Sequence, residues 1–188
     1  MANNRKSENI SRRDLLFGAV KKLRREDEWR EIREEQQAKS QETANLLQEG
    51  NHLLEQGEYE AAIEKFHACV TKDTTFLEAR RRLGYCLYRT GKYIQARVEF
   101  ERVLYTRKKD NFSSLYLGLC MARLGKADKA AVVWKGYFNP DEIAIQRELN
   151  LQAALLETET PPEAGQMADA VEDVVEKRKH ELMEDPGP

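Results

Sequence analysis

Leu83-Gly84-Tyr85-Cys86-Leu87-Tyr88-Arg89-Thr90-Gly91-Lys92-Tyr93-Ile94-Gln95-Ala96-Arg97-Val98-Glu99-Phe100 is the stretch on which the fold turns. Leu83 and Leu87 lie four residues apart, one helical turn, as do Ala96 and Phe100. Gly91 falls between the two pairs, where a first helix would end in the left-handed conformation that glycine adopts without a Cβ penalty. The stretch therefore reads as two helices joined by a tight turn.

The same reading recurs at an offset of 34 residues, with repeats beginning at Thr43, Leu77 and Asn111. Gly50, Gly84 and Gly118 superpose, and so do Gly57, Gly91 and Gly125, Ala62, Ala96 and Ala130, and Phe66, Phe100 and Trp134. Leu53, Leu87 and Met121 follow the first glycine series by three residues, while Leu83 and Leu117 precede it by one, with Glu49 as the exception. A glycine inside a helix costs about 1 kcal/mol relative to alanine, so its recurrence calls for a packing reason. The expectation is a paired helix approaching too closely for a Cβ, with the alanine series facing it and Phe66, Phe100 and Trp134 filling the space between pairs.

Period and pattern resemble the tetratricopeptide repeat, whose signature joins W-x2-L-G-x2-Y to A-x3-F and a closing proline. The resemblance covers residues 43–140 as three repeats, 43–76, 77–110 and 111–140. Leu46, Arg80 and Ser114 replace the first aromatic, and Thr74, Lys108 and Glu142 stand in place of the closing proline. It implies an all-α, right-handed α-solenoid with a concave peptide-binding groove. Such arrays usually end in a sealing helix, expected here over 140–157 with Asn139 as N-cap, Pro140 at the first helical position, and Ile145, Leu149, Gln152 and Leu156 on its packed stripe.

With Leu83, Gly84 and Leu87 turned to the partner helix, Arg81, Tyr85 and Tyr88 share the opposite face and Arg89 borders it. Equivalent positions are Leu47, Asn51 and Leu54 in the first repeat, and Leu115, Leu119 and Ala122 in the third, extended by Phe112 and Arg123. Such a lining suits an extended or helical segment that carries apolar anchors and a carboxylate, since aromatic and Arg side chains dominate interface hot spots. The competing reading is that the protein's own termini cover this face. In the similar heat-shock co-chaperones a clamp of Lys, Asn and Arg grips a C-terminal carboxylate. Only Asn51 keeps its identity here, with Leu47, Arg82, Phe112 and Tyr116 in the other places, so chaperone tails are not the expected ligand.

The flanks are charged and opposite in sign. Residues 1–25 carry eight Lys/Arg against two acids, residues 26–42 three against seven, and residues 157–188 three against ten. Ser11-Arg12-Arg13-Asp14-Leu15-Leu16 is similar to a twin-arginine export motif, but its apolar run stops at Val20, before Lys21 and Lys22, so a cleaved signal is not expected. Residues 12–25 instead form a basic amphipathic helix on paper, with Leu15, Leu16 and Leu23 on one side and Arg12, Arg13, Lys21, Lys22, Arg24 and Arg25 as the charges that would meet a membrane or a partner. A chance charge run on a solvated helix is the plainer reading. Residues 26–42 read as an acidic helix or disorder. Thr158 to Gln166, with Pro161, Pro162 and Gly165, reads as a linker, and residues 167–188 as an acidic tail whose Met167, Val171, Val174, Val175 and Leu182 approach helical spacing.

The chemistry of catalysis is missing. No Gly-rich phosphate loop, H-E-x-x-H or G-x-S-x-G occurs, His52, His67 and His180 are isolated, and Glu99 and Glu101 read as ordinary exposed charges. Cys69, Cys86 and Cys120 lack metal-ligand spacing; Cys86 and Cys120 occupy equivalent places about 8–10 Å apart, beyond disulfide reach. The chain is therefore expected to be a non-enzymatic adaptor or scaffold without metal or cofactor, binding another protein's segment in the cytoplasm. The alternative is an assembly chaperone or accessory factor brought to a membrane surface by the basic N-terminal helix. Self-association is left open, and nucleic acid is the least favoured partner.

Overall fold

The computed structural model describes residues 12–184, which form helices and connecting turns with no strand among them. The chain divides into two compact units, Met1–Ala44 and Asn45–Pro188. Helix α1 (Arg12–Glu55) takes in residues of both; then follow α2 (Tyr59–Lys72), α3 (Leu77–Arg89), α4 (Tyr93–Thr106), α5 (Asn111–Arg123), α6 (Ala127–Lys135), α7 (Ile143–Leu155) and α8 (Ala164–Glu184).

In the first unit, residues 26–42 are helical rather than disordered. Trp29 and Ile32 are exposed, and ion pairs at helical spacing join Asp27 to Arg30 and Glu35 to Lys39, each at 2.7 Å. Exposed pairs of this kind lend a helix only modest, salt-screened support. Lys21, Lys22, Arg24 and Arg25 are exposed. The side chains of Arg12, Arg13, Leu15, Leu16 and Leu23 lie outside the described residues, as does Ser11 of the twin-arginine-like motif.

In the second unit each helix from α2 to α8 packs on its chain neighbour. Gly57, Gly91 and Gly125 have φ of +77°, +75° and +73°. At each the chain closes alike: Gly91 N–H donates to the Tyr88 carbonyl at 3.0 Å and Lys92 N–H to the Leu87 carbonyl at 2.8 Å, the paired bonds of a Schellman cap. This satisfies carbonyls left orphaned at the helix end and turns the chain directly into the next helix.

The helix-internal glycines answer to a different neighbour from the one expected. A Cβ on Gly84 would lie 2.8 Å from Phe100 Cε1, and one on Gly50 2.7 Å from Phe66 Cε1; in the third repeat it would overlap the Trp134 indole. The close approach is thus by the aromatic ring of the repeat's own second helix and not by helix backbone. Trp134 Nε1 also donates to the Leu115 carbonyl at 3.2 Å. Ala62, Ala96, Ala130, Phe66, Phe100 and Trp134 are all fully buried.

Two further expectations are corrected. Glu99 is buried, not exposed: Arg80 Nη1 donates to its Oε2 at 2.7 Å, with both side chains 11% exposed. Arg80 occupies the place where the repeat signature has an aromatic, and its remaining donors reach the Thr74 carbonyl. The long polar side chain fills that space only by bringing a counter-charge with it. The sealing helix begins at Ile143, not Pro140, because Asn139 Oδ1 accepts from Asp141 N–H at 3.2 Å. This local turn competes with helix at an Asn-Pro step. Ile145, Leu149 and Gln152 of the expected stripe are buried nonetheless.

Residues 158–166 end inside α8, which begins at Ala164 after Pro161 and Pro162. This C-terminal helix packs on α5 and α7.

Candidate protein-binding groove

Together α3 and α5 carry an aromatic floor, with Tyr88 and Tyr116 buried and Tyr85 and Phe112 half-buried. Tyr85 on α3 meets Tyr116 on α5 edge to face at a centroid separation of 5.1 Å and Phe112 at 5.9 Å, and Tyr88 meets Tyr116 at 5.4 Å. Edge-to-face geometry of this kind adds about 0.5–1.5 kcal/mol per pair to area burial. Helical spacing puts these rings on neighbouring faces, and the stacking of repeats brings α3 against α5.

Cations border the floor. Arg89 lies over the Tyr59 ring at 4.9 Å and donates to the Tyr85 hydroxyl at 2.8 Å. Arg81 is turned along the wall: it lies over Phe112 at 4.9 Å, pairs with Glu78 at 3.0 Å and approaches Asp110, the N-cap of α5, at 3.6 Å. It braces α3 to α5 more than it offers a free charge.

The face is occupied by α8. Met167, Ala168, Val171 and Val175 bury one stripe of this helix in the same apolar cluster as Tyr88, Leu115 and Leu119. Arg123 Nη2 reaches Glu172 Oε2 at 2.6 Å and Asp169 Oδ1 at 2.7 Å, and the Tyr88 hydroxyl donates to the Glu172 carboxylate. Arg89 Nη1 lies 3.6 Å from Glu176 Oε1, and Lys179 Nζ donates to the Tyr85 hydroxyl at 3.3 Å. A pocket of about 270 Å³ remains beside α8, with Tyr93, Tyr116 and Leu119 in its wall.

The electrostatics follow from these contacts. Burial, with Glu172 alongside, pushes the Tyr88 phenol well above its usual range, and the Glu172 carboxylate holds Arg123 firmly protonated. Lys179 and Arg89 hold Glu176 below the usual carboxylate range.

Of the residues expected in the groove, the structure therefore brings together Tyr85, Tyr88, Arg89, Phe112, Leu115, Leu119 and Arg123, and turns Arg81 into a brace. Leu47 and Leu54 pack against the cluster and Asn51 is half-buried on α1, while the polar contacts of α8 fall on the second and third repeats. Tyr59, Tyr116 and the α8 carboxylates were not among the expected site residues. The signal for the carboxylates was the i, i+3, i+7 spacing of Asp169, Glu172 and Glu176 beside the apolar stripe of the tail.

The tetratricopeptide repeat family model matches residues 53–120. Over that segment the chain is similar to a tetratricopeptide-repeat array. The segment holds the aromatic floor and Arg89, while Arg123 and α8 lie beyond the matched residues. No curated relative matches the chain. Among the described residues, no group of three or more His, Cys, Asp or Glu could hold a metal. The three cysteines are buried and free, and burial pushes the Cys86 and Cys120 thiols up to about 12.

Proposed function

We propose that the protein is a non-enzymatic adaptor whose repeat groove binds a segment of another protein. Tetratricopeptide repeats generally mediate protein–protein interaction, and the observation that carries the reading here is the way the face already holds a helix. Arg123 clamps two carboxylates of α8 while Tyr88, Leu115 and Leu119 receive its apolar stripe, which is helix-in-groove recognition made within one chain. The test is in-cell crosslinking of full-length protein, comparing wild type with Tyr85→Ala combined with Arg89→Glu. An Arg or Tyr hot spot is typically worth 2 kcal/mol or more, about thirtyfold in affinity, so the double variant should lose its crosslinked partners while Lys129→Glu keeps them. Unchanged partners in the double variant would count against the groove.

A second reading rests on the exposed run Lys21, Lys22, Arg24 and Arg25: the N-terminal segment brings the adaptor to an anionic membrane surface. No described helix is long and apolar enough to cross a membrane. Reversing those four charges should abolish cosedimentation with phosphatidylserine vesicles if this holds, and leave partner crosslinks unchanged if the first reading stands alone.

A further inference from the structure

We propose that the groove is specific for acidic amphipathic helices, and that α8 is a tethered copy of that ligand which an outside helix of the same chemistry displaces. The inference rests on the groove reading above and names its partner class.

The chemistry is written in the pairing of α8 with the face. Its buried stripe, Met167, Ala168, Val171 and Val175, occupies one side, and Asp169, Glu172 and Glu176 run along the border that meets Arg123, Tyr88 and Arg89. Along this border cations and the Tyr88 hydroxyl of the groove meet carboxylates of the helix, with Lys179 on the Tyr85 hydroxyl as a basic contact beyond them, so a neutral or basic helix would leave Arg123 without its two partners in a partly buried site. Such mismatches reject a ligand more strongly than a lost methylene does.

The hold on α8 is that of an interface. Its buried side chains lie between Met167 and Val175 and Arg178 pairs with Glu142 at 2.8 Å, whereas Leu182 and Met183 near its end are exposed, and residues 157–161 before it are exposed as well. The segment from Glu157 to Glu163, with Pro161 and Pro162 at its centre, tethers the helix and keeps it near the groove at an effective concentration on the order of millimolar. An outside helix must outbind that local supply, which makes occupancy by a partner conditional on affinity or abundance.

The experiment uses full-length protein and a fluorescein-labelled synthetic peptide of residues 164–184. Val171→Asp with Glu172→Arg, made in the protein, undocks the resident helix. This variant should bind the wild-type peptide at least about tenfold more tightly than wild-type protein does, because the tethered competitor is gone. A peptide carrying Glu172→Arg and Glu176→Lys should bind at least about tenfold more weakly. Equal binding by wild type and variant, or of both peptides by the variant, overturns the proposal. Because Val171→Asp can disturb folding, hydrogen exchange on wild-type protein gives an independent reading: α8 amides should exchange at least about tenfold faster than those of α5, and equal protection would make α8 a permanent part of the array. A dimer in which α8 crosses to a second copy would overturn the proposal in favour of exchange between copies. If peptide binding fails while the Tyr85→Ala Arg89→Glu protein still loses its cellular partners, the ligand class is wrong and the adaptor reading survives; the reverse pattern removes the adaptor reading alone.

Discussion

Arg123, in the last turn of α5, and Glu172, in the middle of α8, meet through two guanidinium nitrogens, Nη2 to Oε2 at 2.6 Å and Nε to Oε1 at 3.3 Å. This fork ties residues that are 49 positions apart and shares the guanidinium with Asp169. Two-point charge-assisted contact fixes orientation as well as position, so it sets the register in which the apolar stripe of α8 meets the groove. Arg123→Gln should therefore loosen α8 by about 1–2 kcal/mol. The expected signature is faster hydrogen exchange confined to α8, with α3 and α5 unchanged.

Arg80 and Glu99 form a buried pair of another kind. Removing one partner strands the other charge, which typically costs about 3–5 kcal/mol, whereas replacing both with apolar residues of similar volume is close to neutral. Glu99→Leu should thus lower the urea midpoint sharply, and Arg80→Met with Glu99→Leu should recover most of the loss. A double variant as unstable as the single one would show that the pair supplies net stability.

Repeat phasing is tested at Gly84, which lies under the Phe100 ring. Gly84→Leu should overpack that contact and cost about 1–3 kcal/mol, while Glu101→Ala on the exposed side of α4 should change little. Gly91→Ala meets no neighbour but must hold a φ of +75°, so its cost of about 1 kcal/mol is conformational. Thermal melts should place Gly84→Leu lowest, Gly91→Ala next and Glu101→Ala beside wild type.

The buried thiols make stability sensitive to alkali. Folded Cys86 and Cys120 keep their protons to about 12, against an ordinary thiol value of 9.0. Below pH 9 both folded and unfolded chains hold these protons, so this contribution is complete; as pH rises from 9 towards 12 the unfolded chain binds fewer protons and stability falls. Melting temperature should decline over that range, less steeply in Cys86→Ala with Cys120→Ala. At pH 8 all three thiols should resist Ellman's reagent until the protein is unfolded.

The 34-residue period, the turns at Gly57, Gly91 and Gly125 and the aromatic series ending in Trp134 were legible because each depends on neighbours within one repeat. Positive φ at a helix end demands glycine wherever the repeat occurs, and a ring lying over Gly50, Gly84 or Gly118 comes from the next helix in the chain. These are local requirements, and repetition displays them three times. The face bearing Tyr85, Tyr88 and Arg89 was readable for the same reason, since helical spacing alone separates it from Leu83 and Leu87.

Only the tertiary structure decided what fills that face. Met167, Val171 and Val175 mark a helix with one apolar side, but an amphipathic helix carries no address, and its partner surface is chosen by shape and charge assembled from α3 and α5. Arg123 with Glu172, and Arg80 with Glu99, had no sequence signature either, because an ion pair needs only that two long side chains reach one another across packed helices. Asn139-Pro140 differs from these pairs: its residues suit a helix start as well as a turn, and the local bond from Asp141 N–H to Asn139 Oδ1 closed the turn that delays α7 to Ile143. Local conformational demands are written residue by residue, whereas pairings between distant surfaces exist only once the repeats have stacked.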